Sequence, residues 1–464
     1  MLSDLHLGSD LVHHARPDAP LRSRSSERCD RDLVAVLDWY REHRMGDRPW
    51  RLVIGGDFID FTGMSVLNEA GEVETAPTRE ERRHGLGGTR DHTLAKLRLV
   101  ISHHAAVMQS LADFVSAGNS LVILRGNHDI DWHWRSVQRA FRLALARLAP
   151  IAASQIDFAP WFYYEEGRVY IEHGHQYDAY CSCDHVLYPV SPSDSRRTTR
   201  SLSDVLVRYV VRPTRGMNEA GHDSQTTLDY VRFAGRLGAW GLLSLVGRFA
   251  QAYAALVLIW REHMGPRARR IRQLHERNMR AFGVAHRLSL TRLQALARLQ
   301  RLPVTHSLRA ILTSLMLDKL LLVVAAVALG FTLFATLTWR FALPYEAAAA
   351  VLLLLVGRAW QKSRTLEPSA ALREGSLGVV GLFPAAFVVM GHTHLPEVRA
   401  TTAQTTYVNL GTWIEEDMPD GARSSLPSTR THLVVGSADG DASGELRVWN
   451  ADGPRRFEAG TGEI

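Results

Sequence analysis

Five short stretches carry residue types that bind hard or borderline cations and move protons. They are Asp4-Leu5-His6, Gly56-Asp57-Phe58-Ile59-Asp60, Gly126-Asn127-His128-Asp129, His173-Gly174-His175 and Gly391-His392-Thr393-His394. All but the first follow an apolar run that reads as a buried strand, which places them at strand ends, where α/β sheets present their chemistry. Asp4 and His6, and likewise His392 and His394, are two residues apart, so both members of each pair leave a strand end on one side and can reach one cation. Asp57, after Leu52-Val53-Ile54 and Gly55-Gly56, is expected to be the carboxylate that two metal ions share. Asn127 offers a neutral oxygen to a metal, His128 a proton, and Asp129 a means of orienting that histidine. Of His173 and His175, His173 is favoured as the ligand and the other as a satisfied polar residue or substrate contact. Each stretch alone is ordinary, since an Asp after a strand is usually a cap or turn residue. The case for a site is that all five occur in one chain.

In this order the stretches resemble the calcineurin-like metallophosphoesterase superfamily, over residues 1 to about 180 and 380 to about 415. The resemblance implies that Asp4, His6, Asp57 and His394 hold one metal, that Asp57, Asn127, His173 and His392 hold the other, and that His128 is the catalytic histidine. Two divalent ions about 3.5 to 4 Å apart would activate a bridging hydroxide for in-line attack on phosphorus. His128, oriented by Asp129, would stabilise charge or protonate the leaving oxygen, and Asp60 would buttress the Asp57 loop. Nitrogen and oxygen ligands without thiolate suit manganese, iron or zinc. The expected activity is metal-dependent phosphoester hydrolysis, as a phosphodiesterase or a phosphatase. Asp4-Leu5-His6 and Gly391-His392-Thr393-His394 also resemble the branch that cleaves UDP-diacylglucosamine. That branch carries Arg where His128 stands and lacks the long insertion seen here, so its substrate is not carried over. A lipid-linked pyrophosphate hydrolase, a nuclease and a non-catalytic scaffold are the alternatives.

The chain has 464 residues, 46% of them hydrophobic, enough for two or three domains with a sizeable core. Its formal charge of +6 is carried almost wholly by arginine, Lys96, Lys319 and Lys362 being the lysines, a bias that suggests a GC-rich bacterial genome. Cys29, Cys181 and Cys183 form no disulfide framework. Cys181-Ser182-Cys183-Asp184-His185 lacks a second cysteine pair and reads as structural or incidental. With no secretory signal evident, a reducing cytosolic environment is expected.

The fold expected is α/β: a β-sandwich of two mixed sheets flanked by helices. Its two parts, residues 1–185 and 376–464, are separated by a helical insertion over 186–375. Helices are expected from an N-cap at Asp32 to His43, over Leu94 to Ser116 and around Val137 to Leu148, with a solvated, lid-like loop over residues 63 to 92. Strands around 432–436 and 445–449 are expected to pack over the site, before a loose tail beyond Asp452. Within the insertion Leu320 to Trp339 runs twenty residues without a charge, and Pro344 to Trp360 is again apolar. A site shared by both ends of the chain requires an even number of crossings, so the two are expected to form a membrane hairpin. Arg309, Lys319, Arg358, Lys362 and Arg364 mark its outer ends as cytoplasmic. A buried hairpin in a soluble protein is the alternative. Leu237 to Trp260 reads as in-plane or packed within the insertion. The expected setting is the bacterial inner membrane with a cytoplasmic catalytic domain, or else the soluble cytoplasm. A phosphoester, including a lipid-linked one, is the expected substrate, and the hairpin and basic helices are expected to meet anionic lipid.

Overall fold

The computed structural model describes residues 1–12, 24–67, 71, 73–214, 237–314, 331–332, 348, 351, 367–414, 430–438 and 441–458. The expected hairpin, 320–339 and 344–360, lies almost wholly outside the described residues.

Two sheets lie face to face. The first contains β1 (Arg51–Ile54), β2 (Ser120–Leu124) and β3 (Ile156–Ala159), all parallel. Leu2 and Leu7 bridge in parallel to Ile54 and Ile59, so the short N-terminal stretch extends this sheet beside β1 and carries Asp4 and His6 with it. The second sheet is mixed and runs β4 (Phe162–Glu165), β5 (Gly167–Glu172), β6 (Ala385–Met390), β8 (Thr406–Asn409), β7 (Glu397–Ala400). β5 and β6 are neighbours although more than 200 residues separate them in sequence. Their parallel pairing brings the His173 and His392 loops to the same edge.

Alternation along the strands decides which side each residue serves. In β2, Leu121 and Ile123 face a helical layer, while Val122 and Leu124 enter the core between the sheets. In β6, Val388 and Met390 face helices, while Phe387 and Val389 meet Val53, Val122 and Ile171 in that central core. The first helical layer comprises α1 (Arg24–Glu42), α3 (Arg90–His103), α4 (Ala105–Ser116) and α5 (Arg135–Leu148). Helix α5 buries Val137, Phe141 and Leu145 at a strict four-residue spacing. The helices Pro266–His286, Leu290–Leu299 and Pro368–Leu382 cover the second sheet through Met279, Phe282, Leu293, Leu296, Leu372 and Val379. Residues 266–299 and 368–382 therefore supply one outer layer of the sandwich, and the helix Pro368–Leu382 runs through the boundary expected at residue 375.

Several local expectations are corrected. Helix α1 begins at Arg24, so Asp32 is internal to it and pairs with Arg430 at 2.8 Å instead of capping. The helical pattern of 94–116 is two helices broken at His104. There the ring takes the Gly8 N–H on Nε2 (2.9 Å) and meets Asp30 through Nδ1 (2.8 Å). The stretch over 63–92 contains a capped helix, α2 (Arg79–His84), with a reciprocal Thr78/Glu81 box. Glu81 is fully buried against Arg197, and Glu80 pairs with Arg200 and Arg208, so arginines of residues 197–208 pin this segment down. Strands β9 (Thr431–Ala438), β10 (Asp441–Asn450) and β11 (Gly453–Arg456) form a separate antiparallel sheet. It joins the central core through Leu433 and Leu446 instead of covering the site, and β11 lies in the tail expected to be loose.

A half-buried histidine, His133, and a buried one, His432, set an acid sensitivity. Burial first, and then neighbouring positive charge, depress His133 and His432 from 6.5 to about 3. Both stay neutral in the fold while the unfolded chain takes up protons below 6.5. Stability should therefore fall as pH drops from 6.5 toward 4.5, by up to about 1.4 kcal/mol per pH unit for each histidine. Urea denaturation at pH 7.5, 5.5 and 4.5 measures this. His432→Phe should flatten the dependence.

Candidate dinuclear metal centre

The candidate residues converge where the strand ends of both sheets meet. His6 Nε2 lies 3.3 Å from His394 Nε2, 3.6 Å from Asp57 Oδ2 and 3.9 Å from Asp4 Oδ1. His394 Nε2 is 3.3 Å from the same Asp4 oxygen. On the other side of Asp57, His173 Nε2 stands 3.2 Å from Asp57 Oδ2 and 3.1 Å from Asn127 Oδ1. Asp57 belongs to both groups. The His392 ring lies 5.3 Å from that of His173. All seven proposed ligands are therefore brought into one neighbourhood from five segments of the chain.

The backbone is strained to achieve this. Among the described residues, seven other than glycine have positive φ, and five of them are Asp4 (55°), His6 (42°), Asp57 (50°), His392 (72°) and His394 (60°). Such conformations cost on the order of 1–3 kcal/mol each and persist where the surroundings over-determine them. The surroundings here are the neighbouring loops. Asp4 N–H donates to Gly56 O, His6 N–H to Asp57 O, His128 N–H to Asp57 Oδ1, His392 N–H to Asp4 Oδ2 and Gly391 N–H to His173 O. Gly126 and Gly391 let the loops close in: a Cβ on Gly126 would lie 2.1 Å from Asp57 Oδ1, and one on Gly391 2.4 Å from Asp4 Oδ2.

The donor set fits cations. His173 Nδ1 faces Gly55 O at 3.0 Å, and a carbonyl only accepts, so Nδ1 carries the proton. Its Nε2 lone pair then faces the oxygens of Asp57 and Asn127, an arrangement that needs a positive charge between them or on the ring. Without a metal the ring supplies it. Burial disfavours the charged ring, but Asp57 and Asp4 outweigh it and raise His173 to about 9. The pair His6 Nε2 and His394 Nε2 repeats the situation beside Asp4 Oδ1, a buried oxygen without a hydrogen-bond partner of good geometry.

His392 Nε2 is paired with Asp178 Oδ2 at 3.1 Å, and donation there leaves Nδ1 with the lone pair. A carboxylate behind a metal-binding histidine fixes its tautomer and orientation in this manner. Asp178 was not singled out in the sequence, where it lies three residues beyond His175 with no motif to mark it. Asn409 was also missed. Its amide donates to Gly391 O at 2.8 Å and to Thr393 Oγ1 at 3.0 Å, holding the His392–His394 loop.

The expected role of Asp129 is corrected. His128 Nδ1 pairs with Asp60 Oδ1 at 2.8 Å. Asp129 instead accepts the N–H groups of Gly126 (2.6 Å) and Phe58 (2.8 Å) and the Trp132 indole (3.1 Å), fully buried. It fastens the Asn127–His128 loop to the Asp57 loop. Burial, and then the charge of Asp57, push it up to about 7. Asp129→Ala should leave three buried donors unpaired and cost about 2–4 kcal/mol, read as a shift in the urea midpoint. Asp60 also receives Arg212 (3.3 Å), which donates to Ser9 O at 2.7 Å. Burial works against the Asp60 carboxylate, yet His128 and then Arg212 hold it well below the usual range.

Residues 1–215 match the family model for calcineurin-like phosphoesterase, a family of metal-dependent phosphoric ester hydrolases that usually use two divalent metal ions. No curated protein and no solved structure matches the chain significantly.

Proposed function

We propose that residues 1–185 and 376–464 form one catalytic domain, with 186–375 inserted, and that it hydrolyses a phosphoester presented at a membrane surface. One ion would be held by Asp4, His6, Asp57 and His394 and the other by Asp57, Asn127, His173 and His392. The observation that carries the reading is the shared Asp57 between two clusters of nitrogen and oxygen atoms, each 3.1–3.9 Å apart. When bound, two divalent ions supply an acidified water and neutralise charge on the phosphoryl oxygens. Around them the chain's own groups act. Asp178 orients His392, Asp60 orients His128, and the half-buried His128 stands beside His6 with ring centroids 4.6 Å apart, placed to stabilise charge or donate a proton to a leaving oxygen. Hydrolysis of bis-p-nitrophenyl phosphate and p-nitrophenyl phosphate by chelated protein refilled with manganese tests this. Activity independent of metal would overturn it.

Membrane attachment is supported by the helix Gly238–Met264. It packs Ala252 and Leu256 against Val205, Val210 and Ile311 but exposes Trp240 (85%), Leu243, Val246 and Leu258. By length and composition Trp240–Met264 could also cross a bilayer. An in-plane position keeps the crossing number even if 320–360 forms a hairpin, and leaves the site on the cytoplasmic side of a bacterial inner membrane. A lipid-linked phosphoester is the substrate class this placement favours. The double variant Leu243→Asp/Val246→Asp should reduce sedimentation with phosphatidylglycerol vesicles several-fold without changing turnover of p-nitrophenyl esters. Unchanged sedimentation would remove this helix from the membrane contact.

A further inference from the structure

Away from the phosphoesterase site, three side chains from separate parts of the chain converge. Asp184 lies in the loop beyond β5, His263 near the end of the helix Gly238–Met264, and His306 in the short 3₁₀ turn Val304–His306. Asp184 Oδ2 stands 2.9 Å from His263 Nδ1, and Asp184 Oδ1 pairs with His306 Nε2. One ligand atom from each lies within 4.8 Å of the other two. The Asp184 and His263 side chains are largely buried, at 7% and 9% exposure, while His306 is open at 36%. Beside Asp184 in sequence, His185 holds its ring 5.2 Å from that of His275, and each of these two keeps a buried Nδ1 without a hydrogen-bond partner.

We propose that Asp184, His263 and His306 bind a single divalent transition metal, of the zinc class, separate from the dinuclear centre. One carboxylate oxygen and two imidazole nitrogens are the ligand types that zinc takes, and three such atoms drawn together, with a solvent side at His306, leave a fourth position for water. The chemistry is borderline, which disfavours magnesium and calcium. The ion would clip the end of the apolar helix and the 304–306 turn to the loop leaving the second sheet, closing two long chain segments by one bond set. This explains why Asp184 and His185, unused by hydrolysis, sit in a histidine-rich environment, and it is independent of how the dinuclear site is read.

The test counts metal in the full chain. Protein is stripped with chelator, incubated with zinc, desalted, and measured by plasma mass spectrometry, for the wild type, His306→Gln, Asp57→Asn and Asp57→Asn/His306→Gln. Each His306→Gln protein should hold one ion fewer than its parent, with p-nitrophenyl ester turnover retained in the single variant. Cobalt added to Asp57→Asn should give a visible d–d band that His306→Gln removes, and zinc should raise the thermal midpoint of Asp57→Asn but not of the double variant. His263→Gln should reproduce these losses. Equal metal content in parent and His306→Gln would overturn the proposal and leave a hydrogen-bonded clasp. Failure of the dinuclear reading would show instead as unchanged metal content and activity in Asp57→Asn.

Discussion

Asp57→Asn should lower hydrolysis of bis-p-nitrophenyl phosphate by about 10³-fold or more and release metal from the centre. Asp57 is the one candidate ligand that touches both clusters, through Oδ2 at 3.6 Å from His6 and 3.2 Å from His173, while Oδ1 accepts the His128 amide at 2.8 Å. Asparagine keeps the shape and one accepting oxygen, so the loop should stay folded. What is lost is the charge that two cations would share, so two ions held beside His6 and His173 would repel each other with no carboxylate between them. Thermal unfolding near the wild-type midpoint, together with lost metal, separates this outcome from misfolding. Full activity with full metal content would remove Asp57 from the centre.

The second large effect is expected at His128. His128→Gln should reduce kcat by about 10²- to 10⁴-fold with metal content unchanged. Asp60→Asn should cost less, about 10- to 100-fold, because it loosens the ring without removing it. Leaving groups tell the two roles apart. If His128 donates a proton to the leaving oxygen, the loss will be larger for phenyl than for p-nitrophenyl esters, since the nitrophenolate leaves without help. Equal losses assign it to charge stabilisation. Asp129→Asn, by contrast, keeps one accepting oxygen where Gly126 and Phe58 use two, and should affect stability more than the leaving-group dependence.

The candidate ligands were legible because their signals are local: a carboxylate or imidazole at a strand end, a glycine beside it, a partner two residues away. Gly126 and Gly391 show the physical basis, since each leaves room for a carboxylate from another loop. The partners were not legible, because they are set by tertiary contact. Adjacency suggested Asp129 for His128, yet the Asp129 side chain folds back onto the Gly126 amide, as Asp does in tight turns, and Asp60, 68 residues away, takes the ring. Asp178 and His392 are 214 residues apart and meet only because β5 and β6 pair. The polar stretch 63–92 looked solvated because its charges balance across space, with Glu80 and Glu81 matched by Arg208 and Arg197. The apolar runs marked the strands and the family resemblance implied the sandwich, whereas the outer layer made by residues 266–299 and 368–382 depends on which faces of those helices find the second sheet.

The most direct test is anomalous diffraction at the manganese edge from crystals of the manganese-loaded protein. Two peaks about 3.5–4 Å apart, with Asp57 between them, Asp4, His6 and His394 around one and Asn127, His173 and His392 around the other, are the predicted result. A single peak in this region, or manganese bound only elsewhere, would contradict a shared two-metal centre.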